Sequence, residues 1–89
     1  MSIKIPDPVA LTQDLIRFNT INPPGNEDEI CGFLEELLLT AGFECKSVDF
    51  APRRRSLIAR IVGERGGPNI CFTGHVDVVP LGGRSWQYD

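Results

Sequence analysis

The chain has 89 residues, 42% hydrophobic and 24% charged, with 12 acidic against 9 basic side chains and a net charge of −3. So slight an acidic excess creates no field that would attract nucleic acid or an anionic membrane, and the composition is that of a folded rather than a disordered chain. No apolar run approaches the roughly 20 residues that cross a bilayer, and Met1-Ser2-Ile3-Lys4-Ile5-Pro6-Asp7 lacks the apolar stretch of a secretory signal, so a cytoplasmic location is expected.

In chain order, the first predicted element is a helix with Asp7 as N-cap and Pro8 at its first position. Leu11, Leu15 and Phe18 share one face. It ends before Asn22-Pro23-Pro24-Gly25, where Pro23 disfavours a helical Asn22 and Gly25 invites a turn. Asn26 is expected to cap a second helix, with Glu27, Asp28 and Glu29 at the positive end of its dipole. Ile30, Phe33, Leu34, Leu37, Leu38 and Ala41 form its apolar stripe, and Gly42 stops it as a left-handed cap.

From Phe43 the period changes. Phe43 to Phe50 reads as a strand, Pro52-Arg53-Arg54-Arg55 as a turn and Ser56 to Val62 as a second strand rich in β-branched residues. The three arginines read as a solvated turn that blunts a strand edge, with a grip on an anionic substrate as the alternative. After the loop Gly63 to Pro68, Asn69 to Thr73 reads as a third strand, its apolar run continuing through Val76, Val78 and Val79. Such a strand is expected to be buried on both faces in an α/β sheet. It then needs helices on a second side, which predicts the N-terminal part of a larger α/β domain rather than a self-sufficient α+β unit. Cys31, Cys45 and Cys71, odd in number and without C-x-x-C spacing, are expected as reduced, mostly buried thiols.

The chemistry is expected at His75-Val76-Asp77, which holds the only histidine of the chain. Residues i and i+2 of a strand share a face, so imidazole and carboxylate can address one point. Gly74 permits close approach, and Pro80 ends further pairing. A metal-bound histidine steadied by a carboxylate is a recurrent arrangement, and a strand-ending histidine bonded to its neighbour is the plainer reading. Capping accounts for Glu27, Asp28 and Glu29 without a metal role. Cys71 is expected in the core rather than paired with His75, and Trp86 either lines a pocket or closes over the core.

Thr73-Gly74-His75-Val76-Asp77-Val78-Val79-Pro80, followed by Trp86 and Asp89, resembles the first metal-site motif of the acetylornithine deacetylase and succinyl-diaminopimelate desuccinylase family of di-zinc aminoacylases and metallopeptidases. The loop Asn22-Pro23-Pro24-Gly25-Asn26-Glu27 is similar to one that family carries between its first two helices. The resemblance implies that residues 1–89 are the N-terminal segment of a three-layer αβα catalytic domain, in the order helix, helix, strand, strand, strand, incomplete on its own. It implies that His75 ligates one of two zinc ions, with cobalt a possible substitute, and that Asp77 orients the His75 ring rather than ligating. It further implies metal-dependent hydrolysis of the amide of an N-acyl amino acid, of desuccinylase or deacetylase type, or of a dipeptide, by a homodimer. In that family the general base and the remaining ligands follow the equivalent of residue 89, so the 89-residue chain alone is expected to be inactive. The alternative is a non-catalytic α/β module that associates through its sheet edge.

Overall fold

The structure, a computed structural model, describes residues 6–87. Asp89, part of the expected motif, and Met1 to Ile5 lie outside the described residues. The first helix, α1 (Pro8–Ile16), opens as its sequence dictates: Asp7 takes an extended conformation and its Oδ2 accepts from Ala10 N–H at 3.1 Å, with Pro8 following. Leu11 and Leu15 are half-buried on one face. Just beyond the helix, the Phe18 ring tilts against Phe33 of the second helix at a centroid distance of 5.5 Å.

The second helix, α2 (Asp28–Thr40), departs from expectation at its start. Asn26 is not the cap: it sits at φ 49°, and Glu27 occupies the N-cap position without capping through its side chain. The first amide of the helix is satisfied instead by a distant carbonyl, with Asp28 N–H donating to Arg53 O at 3.2 Å. The other end follows the sequence. Gly42, at φ 96°, donates to Leu39 O, and Phe43 N–H reaches back to Leu38 O, each at 3.0 Å, which is the Schellman arrangement.

Two strands, β1 (Glu44–Ala51) and β2 (Arg54–Arg60), form an antiparallel hairpin, with Glu44 opposite Arg60 and Val48 opposite Ser56. The register shifts between Asp49 and Ala51, which leaves Phe50 as the extra residue, its ring under the Arg54 guanidinium at 5.1 Å. The connection is only Pro52-Arg53, with Arg53 at φ 57°, so Arg54 and Arg55 belong to β2 rather than to the expected four-residue turn. Nor are the arginines merely solvated, since Arg53 pairs with Asp28, Arg54 with Glu27 and Arg55 with Asp49. Helix α2 packs across both strands. Cys31 donates its thiol to Arg55 O at 3.3 Å, and Ser47 Oγ donates to the Glu35 carboxylate at 2.8 Å.

The third strand is a correction. Residues 69–73 carry no strand pairing, and the only ladder contact in this region is an isolated parallel bridge between Ile21 and Val78. Ile70 is 81% exposed and Phe72 is 94% exposed, where burial on both faces was expected. An apolar run reports what a strand requires, and here no neighbouring strand or helix layer meets the requirement among the described residues. Cys71 is accordingly exposed rather than in the core, whereas Cys31 is buried and Cys45 half-buried. Trp86 does not close over the core: it is 65% exposed and donates its indole N–H to Leu81 O at 3.1 Å. Ile30 and Cys31 are the buried apolar side chains of the described residues. The Cα radius of gyration is 15.6 Å, against about 12 Å for a compact domain of this length. What the structure shows is thus a small α/β arrangement of two helices and one hairpin.

Candidate functional site

Three contributions converge on Asp77, two of them from segments distant in sequence. The loop after α1 reaches it first, through the backbone. Val78 N–H donates to Thr20 O at 3.0 Å, Asn22 N–H donates to Val78 O at 2.7 Å, and buried Thr20 donates its hydroxyl to Val76 O at 2.6 Å. These three bonds hold residues 76–78 against residues 20–22 without any regular strand. Asn22 then donates its side-chain amide to Asp77 Oδ2 at 3.0 Å.

His75 meets the same carboxylate from its other edge. Its Nδ1 lies 2.9 Å from Asp77 Oδ1 and 3.0 Å from Asp77 main-chain O. Both oxygens can only accept, so Nδ1–H donates, an arrangement that in a neutral imidazole leaves the lone pair at Nε2. The side chain is 84% exposed. The predicted pairing of imidazole and carboxylate is therefore present, although these residues do not form the strand whose alternation was expected to produce it.

The third contribution is one that sequence reasoning missed. Glu27 is only 4% exposed, and its carboxylate takes both Nε (3.0 and 3.2 Å) and an Nη of Arg54 in a bidentate pair. The same Arg54 Nη lies 3.8 Å from Asp77 Oδ2. The absence of a capping bond from Glu27 is thereby explained: its side chain points into the fold, not along the helix axis. Gly25 makes the arrangement possible. At φ 100° it favours glycine, and a Cβ there would come within 2.7 Å of Arg54 Nε and 2.8 Å of Glu27 Oε1. The one sequence signal for this pair was a glutamate at the head of a helix and an arginine at the head of a strand, too common a combination to single out. His75, Asp77, Glu27, Arg54, Leu34 and Phe72 all face one cleft of about 610 Å³.

Electrostatics follow the contacts. Arg54, hydrogen-bonded to Glu27, holds the Glu27 carboxyl below its ordinary 4.5 against the opposing pull of burial, and the same bond raises Arg54. The Asn22 amide and then His75 hold Asp77 below its ordinary 3.8. With both folded values depressed, the unfolded chain takes up protons first as pH falls, so this stabilisation is complete above those ordinary values and is lost below them as pH passes through the folded values. Urea unfolding midpoints at successive pH values are expected to be level near neutrality and to decline below about pH 5. Glu27→Gln is expected to flatten that decline; an unchanged slope in the variant would contradict the assignment.

The zinc implied by the resemblance can be tested against these donors. His75 suits the group as one neutral nitrogen ligand, its tautomer set by Asp77. No cluster of three or more His, Cys, Asp or Glu side chains able to hold a metal occurs among the described residues. Among the described residues, His75 is thus one donor of a kind that suits such a group.

No family model matches the chain, and no solved structure matches it. Curated proteins do. It is 42% identical over 76 residues to the succinyl-diaminopimelate desuccinylase of Wolbachia pipientis subsp. Culex pipiens (strain wPip), covering 85% of this chain and 18% of that protein. Over 91 residues it is 42% identical to the enzyme of the same name from Rhodospirillum centenum, covering 94% of this chain and 22% of the relative. With that of Dinoroseobacter shibae it shares 43% identity over 88 residues, or 93% and 21%. The chain spans about a fifth of the length of these relatives. At this identity over nearly its whole length, the chain belongs, as a fragment, to the succinyl-diaminopimelate desuccinylase family.

Proposed function

We propose that this chain supplies the N-terminal, metal-ligating part of a three-layer αβα catalytic domain that hydrolyses the amide of an N-acyl amino acid, with N-succinyl-diaminopimelate as the first substrate to test. The observation that carries the reading is the exposed His75 ring, clamped at Nδ1 by Asp77 on the lining of a cleft. It occurs in a chain 36–43% identical to proteins named desuccinylases.

In this reading His75 Nε2 would hold one zinc, and Asp77 would keep Nδ1 protonated and the ring fixed in direction. Bound zinc supplies acidification of water and polarisation of the scissile carbonyl. The Asp77 carboxylate also makes the imidazole a stronger donor to a cation, because negative charge on one side of the ring raises electron density on the other. The other ligands and the general base belong to the remaining four-fifths of such a protein, so the 89-residue chain by itself is proposed to be inactive. A cytoplasmic homodimer belongs to the same proposal.

The test is a chimera in which the matched part of this chain replaces the corresponding stretch of the Rhodospirillum centenum desuccinylase. Hydrolysis of N-succinyl-diaminopimelate, abolished by chelation and restored by zinc, is the expected result. Activity that survives exhaustive metal removal would overturn the metal assignment. A folded chimera that neither hydrolyses nor takes up zinc would favour the associating module, toward which the exposed Ile70 and Phe72 point.

A further inference from the structure

Glu27 is the buried acidic side chain of the described residues, and neither helix capping nor the proposed hydrolysis uses it. What it does hold is Arg54, by three hydrogen bonds. A guanidinium gripped from one side keeps its fork geometry, and here the fork's Nη is turned to within 3.8 Å of Asp77 Oδ2. The Asn22 amide donates to that same oxygen at 3.0 Å, from a loop pinned to residues 76–78 by its backbone.

The consequence concerns the Asp77 carboxylate plane. The terminal torsion of an aspartate is soft and roughly two-fold, so nothing intrinsic decides which oxygen faces His75 or at what tilt. The Asn22 hydrogen bond to Oδ2, with the Arg54 charge 3.8 Å from the same oxygen, restricts that freedom and leaves Oδ1 for Nδ1–H of His75 at 2.9 Å. An exposed imidazole without such a partner populates both neutral tautomers, and only the Nδ1–H form presents a lone pair at Nε2.

We infer that Asn22 and Arg54, the latter held by Glu27, are positioning residues that fix the Asp77 carboxylate and, through it, the orientation and Nδ1–H tautomer of His75. The inference rests on the reading of His75 as a metal ligand, and its test separates the two. Because the chain has one histidine, ¹⁵N-histidine labelling gives a single imidazole spectrum. Recorded at about pH 8.5, well above the ordinary imidazole value, long-range ¹H–¹⁵N correlations report the tautomer directly. The chain is expected to show the Nδ1–H form, and Asn22→Ala and Arg54→Met are expected to shift it toward a mixture, with Arg54→Lys partly restoring it. Asn22→Ala keeps the backbone bonds to Val78 and so separates positioning from folding. Zinc titration followed at Nε2 is expected to show about a tenfold weaker Kd in Asn22→Ala and Arg54→Met. A tautomer and zinc Kd unchanged in a folded Asn22→Ala variant would overturn the positioning role. If zinc uptake by the desuccinylase chimera is unchanged in His75→Ala, the ligand reading fails, and the tautomer comparison still decides the positioning role.

Discussion

Replacing His75 by alanine in the desuccinylase chimera is expected to lower kcat/KM by at least about a thousandfold, because a metal that acidifies water and polarises a carbonyl contributes several kcal/mol to transition-state stabilisation. Asp77→Asn is expected to cost less, about 10- to 100-fold, since an amide oxygen can still accept from Nδ1–H but brings no charge. The order follows from the geometry. His75 lines the cleft and engages Asp77 only through Nδ1, whereas Asp77 spends Oδ1 on His75 and Oδ2 on Asn22. Metal content measured by atomic emission on each variant assigns the loss. A His75→Ala chimera with unchanged zinc content and rate would remove His75 from the site, and an Asp77→Asn chimera as impaired as His75→Ala would make Asp77 more than an orienting group.

The second large effect is expected far from the imidazole, at Gly25. Alanine there meets two independent obstacles. Its φ of 100° is one that L residues rarely adopt, costing about 1–2 kcal/mol. The new Cβ also falls 2.7–2.8 Å from Arg54 and Glu27, so the ion pair must open or the loop must move, adding about 1–3 kcal/mol. The sum, roughly 2–5 kcal/mol, is a large share of the stability of any small domain. Thermal denaturation by circular dichroism is expected to show the Gly25→Ala midpoint lowered by 10 °C or more, at roughly 4–8 °C per kcal/mol. Gly63→Ala serves as the control, since a Cβ there meets nothing within 4 Å. Equal midpoints for the two variants would mean that the crowding around Glu27 and Arg54 carries no energetic weight.

Local chemistry was readable in the sequence, and distant pairing was not. Asp7 with Pro8, and Gly42, each announce a helix end through contacts with residues three positions away, and the structure places both where expected. His75 and Asp77 were legible for the same reason, being two residues apart. Glu27 was misread because a glutamate at a helix start has a sufficient local explanation, and its true partner lies 27 residues away across a hairpin. The hairpin boundary failed on Arg54 and Arg55: three successive arginines suggest a solvated loop, but a two-residue turn with Arg53 at positive φ starts the strand earlier. For residues 69–73 the apolar pattern was read as a demand for burial on both faces of a strand, a demand left unmet among the described residues, where Ile70 and Phe72 are exposed.

That unmet demand governs how the chain behaves in a test tube. Ile70-Cys71-Phe72-Thr73 combines high β propensity with no charge, and it lies beside a hairpin whose outer edges carry unpaired backbone groups among the described residues. Such a stretch is a template for stacking identical chains, and the reaction is steeply dependent on concentration. Purified at high concentration, the 89-residue chain would be a colloid in waiting, and spectroscopy on it belongs in dilute solution, under reducing conditions that keep the exposed Cys71 thiol from cross-linking neighbouring copies.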